Sequence, residues 1–275
     1  MACARKTLFL ASAVLAFAAH GHAQPAPSAQ PAQPTPGSRA ADAIDHINRN
    51  DLGQGVVDAS GYVNQILIAN AVQGIPALEA YFARAQDDET KAMIASALVR
   101  LGDKDDAYWD FLVKQATAAL DSDAPFPYSL SGETPESPFS PEFLAWAKAH
   151  NLPPGGEAIE AAEDEVGKLA PLAQTGDPRG VPLLRRGLQS RNMEMQMLAA
   201  AGLAQAQDKD SIQLIIDACK RAPPGLALMI AQALKYFDDP KARAAFALYE
   251  PGTDADIEQA IKYRGRPFGP QPEPQ

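Results

Sequence analysis

The side chains most able to do chemistry are few in this 275-residue chain and lie far apart in sequence. Beyond the first 23 residues there are two histidines, His46 and His150, and neither Ser60 nor Ser211 sits in a G-x-S-x-G turn. A catalytic triad or a zinc site needs histidines joined to nucleophiles or further ligands at suitable spacings. We therefore predict two solvated histidines at helix ends, and no catalytic, metal-binding or cofactor-binding residue.

Cys219 is the one cysteine beyond the first 23 residues, so that part of the chain can form no internal disulfide. Lys220 and Arg221 follow it directly, and basic neighbours can lower the pKa of a thiol and make it reactive. The residues before it, among them Ile215 and Ile216, favour an apolar helix instead. We interpret Cys219 as a small buried core residue.

The densest carboxylate cluster begins at Asp103 and includes Asp105 and Asp106. A calcium-binding loop requires glycine at its sixth position and glutamate at its twelfth, where this chain has Tyr108 and Lys114. We therefore interpret these aspartates as helix caps. A hydrolase built from carboxylates alone stays an open, less favoured alternative.

Residues 121–156 contain seven prolines and several aromatic side chains. Long irregular segments within a compact domain are uncommon and often functional. We predict a proline- and aromatic-rich insert with one short helix over Pro141–Asn151, and we take Phe126, Tyr128 and Phe139 as candidate partner-binding residues. The aromatic residue Trp109 shares a helical face with Leu112, which favours core packing.

The first 23 residues have the pattern of a secretory signal peptide. Arg5 and Lys6 precede an apolar run from Leu8 to Ala19, and the small residues Gly21 and Ala23 stand at the expected cleavage positions. The run is too short to span a bilayer, for which roughly 20 residues are needed. We expect an exported protein, periplasmic or secreted, with no stable membrane insertion after cleavage.

The charge of the chain limits its partners. The whole chain carries a net charge of −10, and removal of the two leader cations leaves 22 basic and 34 acidic residues, a net charge of −12. Nucleic acid and anionic membrane surfaces would repel such a protein. We expect a protein or peptide partner, and no nucleic acid.

A repeat of 31 residues places these side chains in helix pairs. Asp177, Asp208 and Asp239 recur at that spacing, and proline follows two of them, as at the start of a helix. Such a short period is typical of stacked supersecondary units that bury their apolar faces against their neighbours. The pattern predicts an all-α fold.

We divide the chain by composition and periodicity. The divisions are a signal peptide (1–23), a disordered proline-rich linker (24–38), N-terminal helical repeats (39–120), the insert (121–156), C-terminal repeats (157–263) and a disordered tail (264–275). The C-terminal repeats begin with a single predicted helix over Glu157–Leu172, which is rich in alanine and glutamate.

Short motifs in both arrays resemble HEAT repeats of the bacterial, phycobilisome-lyase-like type. They are DPRGVPLL at 177–184, NME at 192–194 and LAAAGL at 198–203, with GIPAL at 74–78, DDETK at 87–91 and ASAL at 95–98 as a further copy. The resemblance implies a right-handed α-solenoid that acts as a non-enzymatic interaction scaffold. An accessory or assembly subunit of a cell-envelope enzyme complex is the alternative. Bilin attachment occurs in some relatives, and this chain carries no matching site.

Overall fold

The structure, a computed structural model, describes residues 35–50, 59–128 and 139–250. Within these ranges it is all-helical, as predicted, and contains no β-strand beyond an isolated antiparallel bridge between Tyr128 and Phe139. The α-helices are α1 Pro36–Arg49, α2 Ala59–Ile68, α3 Ile75–Arg84, α4 Asp88–Arg100, α5 Asp106–Asp121, α6 Pro141–Ala149, α7 Gly156–Gly167, α8 Ala170–Thr175, α9 Val181–Gly187, α10 Met193–Gln205, α11 Ile212–Arg221, α12 Pro224–Ala231 and α13 Pro240–Phe246. Short 3-10 segments occupy Val72–Gly74, Pro178–Gly180, Lys209–Ser211 and Gln232–Tyr236.

The proposed signal peptide and C-terminal tail lie outside the described residues, as does most of the proposed linker. Four of its residues, 35–38, are described, and the linker prediction is wrong for the last three because they form the first turn of α1. The Oγ1 atom of Thr35 accepts a hydrogen bond from the Ser38 amide at 3.2 Å, and Pro36 occupies the first turn. Both features start helices.

The helices pack in two layers that follow the order of the chain. In the first layer α1 contacts α3, and α5 contacts α9. In the second layer α2 contacts α4, α4 contacts α8, α8 contacts α10, and α10 contacts α12. Within pairs, α1 packs on α2, α3 on α4, α9 on α10 and α11 on α12. The second-layer helices therefore pack both against their own pair and against the next second-layer helix along the chain.

The third pair is split by the insert. Helix α8 lies between α4 and α10 and also contacts α5, so it takes the second-layer place that belongs to the partner of α5. Helices α6 and α7 intervene in sequence, and α7 packs against α5 and α10. The prediction of one helix over Glu157–Leu172 is wrong, because Pro171 has no amide hydrogen and its ring would clash with the carbonyl of Gly167.

The second layer shows the repeat most clearly. Each of its helices, or the residues beside it, buries two apolar side chains three positions apart, each at most 1% exposed: Val63 and Ile66, Ala95 and Leu98, Leu169 and Leu172, Ala200 and Leu203, Ala231 and Leu234. In the first four pairs, a residue with left-handed backbone stands four positions after the second member: Asn70, Gly102, Gly176 and Gln207. The positive φ ends the helix at the same point in each unit.

Two of the three repeated aspartates cap helical segments as predicted. The carboxylate of Asp177 accepts a hydrogen bond from the Arg179 amide at 2.9 Å, and that of Asp239 accepts one from the Lys241 amide at 2.9 Å. Asp208 stands at the equivalent place without a side-chain cap bond. Its carboxylate instead binds the guanidinium of Arg185, at 2.9 and 3.0 Å, and so joins neighbouring pairs.

Three arginines tie first-layer helices to one another. Each extends from the C-terminal end of one helix to a carbonyl at the C-terminal end of a helix earlier in the chain: Arg84 to Ile47, Arg186 to Leu120 and Arg221 to Leu188. Cations at helix C-termini bind the last carbonyls and offset the partial negative charge there. These contacts bring together the C-terminal ends of the joined helices.

Candidate partner-binding site

The three predicted partner-binding residues lie together at the base of the insert, on the described residues that flank positions 129–138. Tyr128 pairs with Phe139 through the antiparallel bridge, and their ring centroids are 6.4 Å apart. The Phe126 ring meets that of Tyr128 edge-on at 5.7 Å. Tyr128 is 45% exposed, whereas the two phenylalanines are half-buried. One aromatic ring is thus presented to solvent on an apolar support.

Ser140 and Asn192 fix the position of this aromatic group. The Ser140 hydroxyl donates to the Phe126 carbonyl at 3.0 Å and accepts from the Phe143 amide at 3.1 Å, which caps α6. Asn192, buried at the start of α10, donates from its amide group to the Ala124 carbonyl at 3.0 Å. The base of the insert is therefore hydrogen-bonded both to α6 and to the helix pairs.

A row of rings runs from this group through the core. Phe139 lies 5.3 Å from Phe143, which is fully buried, and Phe143 lies 6.2 Å from Trp146 between ring centroids. Trp146 packs on His150 at 4.4 Å. The exposed Tyr128 is connected in this way to a second surface feature at the far end of α6.

That second feature is a cleft of about 400 Å³ between the C-terminal ends of α5 and α6 and the side of α7. Its polar or aromatic lining residues are Asp121, Ser122, Trp146, His150 and Glu165, and its apolar ones are Ala118, Leu152 and Ala161. We call it the Trp146 cleft. It has the size of a site for a single side chain or small molecule.

Each carboxylate of the Trp146 cleft meets one cation of the chain. Oδ1 of Asp121 lies 2.6 Å from Nη2 of Arg186, and Oε1 of Glu165 lies 2.6 Å from Nζ of Lys168. Among the described contacts, the second oxygen of each carboxylate accepts no hydrogen bond, and Nε1 of Trp146 is buried without an acceptor. The cleft therefore combines an indole with unused carboxylate oxygens.

The carboxyls with raised pKa values lie elsewhere. Burial raises the pKa of Glu194, and the charge of Glu163 raises it further. Burial also raises the pKa of Glu163, with smaller contributions from Asp164 and Glu160. Neither Glu163 nor Glu194 lines the Trp146 cleft. The hydrolase alternative requires facing carboxyls of raised pKa in such a cleft, so it gains no support here.

The histidine and cysteine predictions are confirmed in part. His150 is exposed at the end of α6, as predicted, and Cys219 is 1% exposed, with burial raising its thiol pKa to about 11. His46 lies in the last turn of α1 but is half-buried and stacks on Tyr62 at 4.6 Å, so the prediction of a solvated side chain is wrong. In the described ranges, no three His, Cys, Asp or Glu residues are placed to hold a metal ion.

The aspartate cluster and Trp109 have the structural roles that we predicted. Asp105 caps α5 by accepting from the Ala107 amide at 2.9 Å. Trp109 is 8% exposed, and the Arg179 guanidinium lies 4.3 Å from its ring centroid. This cation–π contact joins residues 70 positions apart, so no local pattern indicates it.

The Trp146 cleft was not predicted as a site. Trp146 and His150 are four residues apart on α6, and that spacing could have indicated a shared helical face. Asp121 and Glu165 come from helices on either side of α6 in sequence, and no motif connects them. Their proximity depends on how the insert packs.

Comparison of the chain with protein-family models, with curated proteins and with solved structures finds no match. Among the helices of the described ranges, none has the length and apolar character required to cross a bilayer.

Proposed function

We propose that the chain is an exported, non-enzymatic scaffold of the HEAT-repeat kind, which binds a protein or peptide partner through its insert. The observation that carries the proposal is the exposed ring of Tyr128, supported by Phe126 and Phe139 and held by hydrogen bonds to the folded core. Large aromatic side chains on a fixed support are typical of binding hot spots, because little conformational entropy is lost when they bind.

The two-layer packing supports the architectural part of the proposal. Neighbouring pairs contact in the order of the chain, and five second-layer units bury the same two positions. These contacts support an α-solenoid, which we propose to be right-handed, and the extended surface of such an array can carry different binding residues without disturbing the core. In such an array the split third pair is a place where an insert adds a recognition surface at little cost to packing.

The export part rests on the sequence of the first 23 residues, and the partner class rests on charge. A net charge of −12 after removal of the leader disfavours nucleic acid and anionic surfaces and favours a neutral or basic partner. An enzyme of the cell envelope that depends on this chain for assembly would also meet these conditions.

Affinity purification of the tagged chain from the envelope fraction of the producing cells tests the proposal. We expect a partner to co-purify with the wild-type chain and to be lost with Tyr128→Ser. Leu214→Ser is the matched control, because Leu214 is 37% exposed on α11, away from the insert. Equal recovery with both variants, or no partner with the wild type, would contradict the proposal.

A further inference from the structure

A seven-residue sequence occurs twice near the C-terminal end of the chain. Residues 230–236 read IAQALKY and residues 257–263 read IEQAIKY, so five of the seven positions are identical and a sixth keeps its apolar type. The first copy completes α12 and forms the 3-10 segment that follows it in the second layer. The second copy follows α13 in sequence, lies outside the described residues and falls within the predicted C-terminal repeats. The repetition indicates that the two copies have equivalent places in successive units.

The burial of the first copy shows the role of its residue types. Ile230 and Leu234 are fully buried, and Ala233 is 6% exposed. Residues three and four positions apart lie on one face of a helix, so these side chains form a single packed face. The second copy keeps one small residue between two large apolar ones at the same spacing: Ile257, Ala260 and Ile261. It therefore has a face of the same kind to bury.

The sequence around the second copy carries helix start and stop signals. Asp254 precedes it, and aspartate is favoured at helix N-caps and in first turns. Gly265 stands four positions after Ile261. In the first four second-layer units, the residue with left-handed backbone stands at the same distance from the second buried side chain. These signals predict a helix over 254–264.

No helix of the described residues follows α13 to complete its pair. Helix α13 takes a first-layer place, because Phe246 is 31 positions after Ile215 and both are at most 1% exposed. Helix α12 is apolar at six consecutive positions, 226–231, as is typical of a helix that is covered on all sides. However, Met229 is 37% exposed and Leu228 is only half-buried. One side of α12 therefore lies open within the described part of the chain.

The last described residue, Glu250, is held on this open side of α12. Its Oε2 atom accepts a hydrogen bond from Nε2 of Gln232 at 2.8 Å and lies 3.6 Å from Nζ of Lys235. Gln232 follows Leu228 by four positions and Met229 by three, so the three side chains share one side. Six residues separate Glu250 from the second copy. Six extended residues reach about 20 Å, and neighbouring helices lie about 8–10 Å apart, so the second copy can reach α12.

We propose that residues 254–264 dock as a helix on the open side of α12 and so complete the pair begun by α13. Ile257 and Ile261 are buried in this arrangement, as Ile230 and Leu234 are buried in the preceding unit. The occupant of the open side is thus a segment of this chain. The inference goes beyond the proposed function and does not depend on it.

One difference between the two copies fits a terminal unit. Ala231 of the first copy is fully buried, and its counterpart in the second copy is Glu258. Glutamate is almost never fully buried unless it is paired, so this position suits a side of the helix that faces water. Terminal units of stacked arrays need such a polar outer face to stay soluble. The docked helix therefore covers the apolar side of α12 and presents a charged side in its place.

The repeat also fixes the register of the docked helix. A Cβ atom at Gly202 would lie 2.9 Å from Cα of Ala173, which marks the closest approach of one second-layer unit to the next. The aligned positions one and two units later are Ala204 with Ala233, and Lys235 with Ala260. Lys235 and Ala260 are thus expected to be neighbours across the new contact.

Disulfide formation in the chain from Gln24 onward tests this register. One variant combines Lys235→Cys with Ala260→Cys, and its matched control combines Lys235→Cys with Glu258→Cys. The rate of internal disulfide formation in dilute solution with oxidised glutathione is followed by mass spectrometry after alkylation. We expect the first pair to close about tenfold faster, because residues two positions apart point to different sides of a helix. Both variants lose Lys235 and keep the buried Cys219, so the comparison isolates the docked segment.

Substitution of the apolar face tests what holds the segment in place. Ile257→Ser combined with Ile261→Ser, introduced into both cysteine variants, should make their two rates equal. The matched control is Phe268→Ser, which changes a large apolar residue beyond the second copy and should leave the rate difference unchanged.

Three results would overturn the inference. Equal rates for the two cysteine pairs would show that the segment is not docked in this register. Disulfides formed mainly between molecules would show that a second copy of the chain occupies the open side. A rate difference that survives the isoleucine substitutions would show that the apolar face does not hold the segment. The affinity purification concerns Tyr128 at the insert, so it succeeds or fails independently of these results.

Discussion

The substitution Gly202→Ala should destabilise the fold, because Gly202 stands where α10 meets both α8 and α9. A Cβ atom at this position would lie 2.9 Å from Cα and Cβ of Ala173 and 2.9 Å from Cδ1 of Leu184. Contacts this short require movement, and Cα of Ala173 belongs to the backbone, which cannot rotate away. The absence of a side chain at residue 202 is therefore what allows the close approach of α8.

The expected size follows from two opposed effects. Overpacking a close contact costs about 1–3 kcal/mol, with backbone clashes in the upper part of that range. Replacement of glycine by alanine within a helix returns about 1 kcal/mol. The net loss is about 1–2 kcal/mol, which lowers the melting temperature by about 2–8 °C in a domain of this size.

The assay is thermal unfolding followed by circular dichroism at 222 nm, with calorimetry to confirm a single transition. Gly167→Ala is the matched control, because a Cβ at that helical position meets nothing within 4 Å. We expect the control to be neutral or slightly stabilised. If Gly202→Ala melts at the wild-type temperature or above, the close packing of α8 on α10 is incorrect.

Three further results follow from the structure. Asp208→Ala should lower the free energy of unfolding, measured by urea denaturation, by about 1–3 kcal/mol. The reason is that Arg185 and the buried hydroxyl of Ser211 lose their shared acceptor. An unchanged midpoint of the urea unfolding curve would contradict this. Glu194→Gln should raise the melting temperature at pH 7, because the raised pKa means that ionisation of Glu194 opposes folding. That gain should vanish below the usual carboxyl pKa, where Glu194 is already protonated; a gain that is the same at low pH would refute it. The thiol of Cys219 is buried and has a pKa of about 11. In the chain from Gln24 onward, it should therefore not react with Ellman's reagent at pH 8 until guanidinium unfolds the protein. Rapid reaction in the native chain would show that the residue is accessible.

Local signals in the sequence are sufficient for the parts of the fold that depend on neighbouring residues. The Asp177-Pro178 and Asp239-Pro240 starts are confirmed because an N-cap and a proline act within one turn. Gly102, which directly follows the C-cap residue of α4, has a positive φ, as glycine commonly does at that position. The apolar positions at Leu203 and Leu234 are buried because helical periodicity places them on the packed face.

Features that depend on contacts between residues far apart in the sequence could not be predicted from the sequence pattern. The interval of 31 residues separates Gly176 from Gln207, but 74 residues separate Gly102 from Gly176, because the insert lies between them. A fixed period therefore cannot show that α8 completes the pair begun by α5. Asp208 looks like a cap, yet its carboxylate binds Arg185 of the preceding pair.

The sequence predicted one part of the candidate site, the aromatic group, and did not predict the other, the Trp146 cleft. The irregular, proline-rich setting of Phe126, Tyr128 and Phe139 indicated a special segment, and the structure brings the three rings together. Their role as partner contacts stays a prediction. The Trp146 cleft combines side chains from α5, α6 and α7, so only the packing of the insert reveals it.

Site-specific photo-crosslinking in the producing cells tests the central claim, that this is a scaffold which binds a protein partner at its insert. The photoreactive amino acid p-benzoylphenylalanine replaces Tyr128 in one strain and Leu214 in another. Both residues are exposed, and only the first belongs to the aromatic group. The scaffold account predicts a discrete protein adduct at position 128 that is absent at 214. An absence of adducts at 128, or the same adducts at both positions, would contradict it.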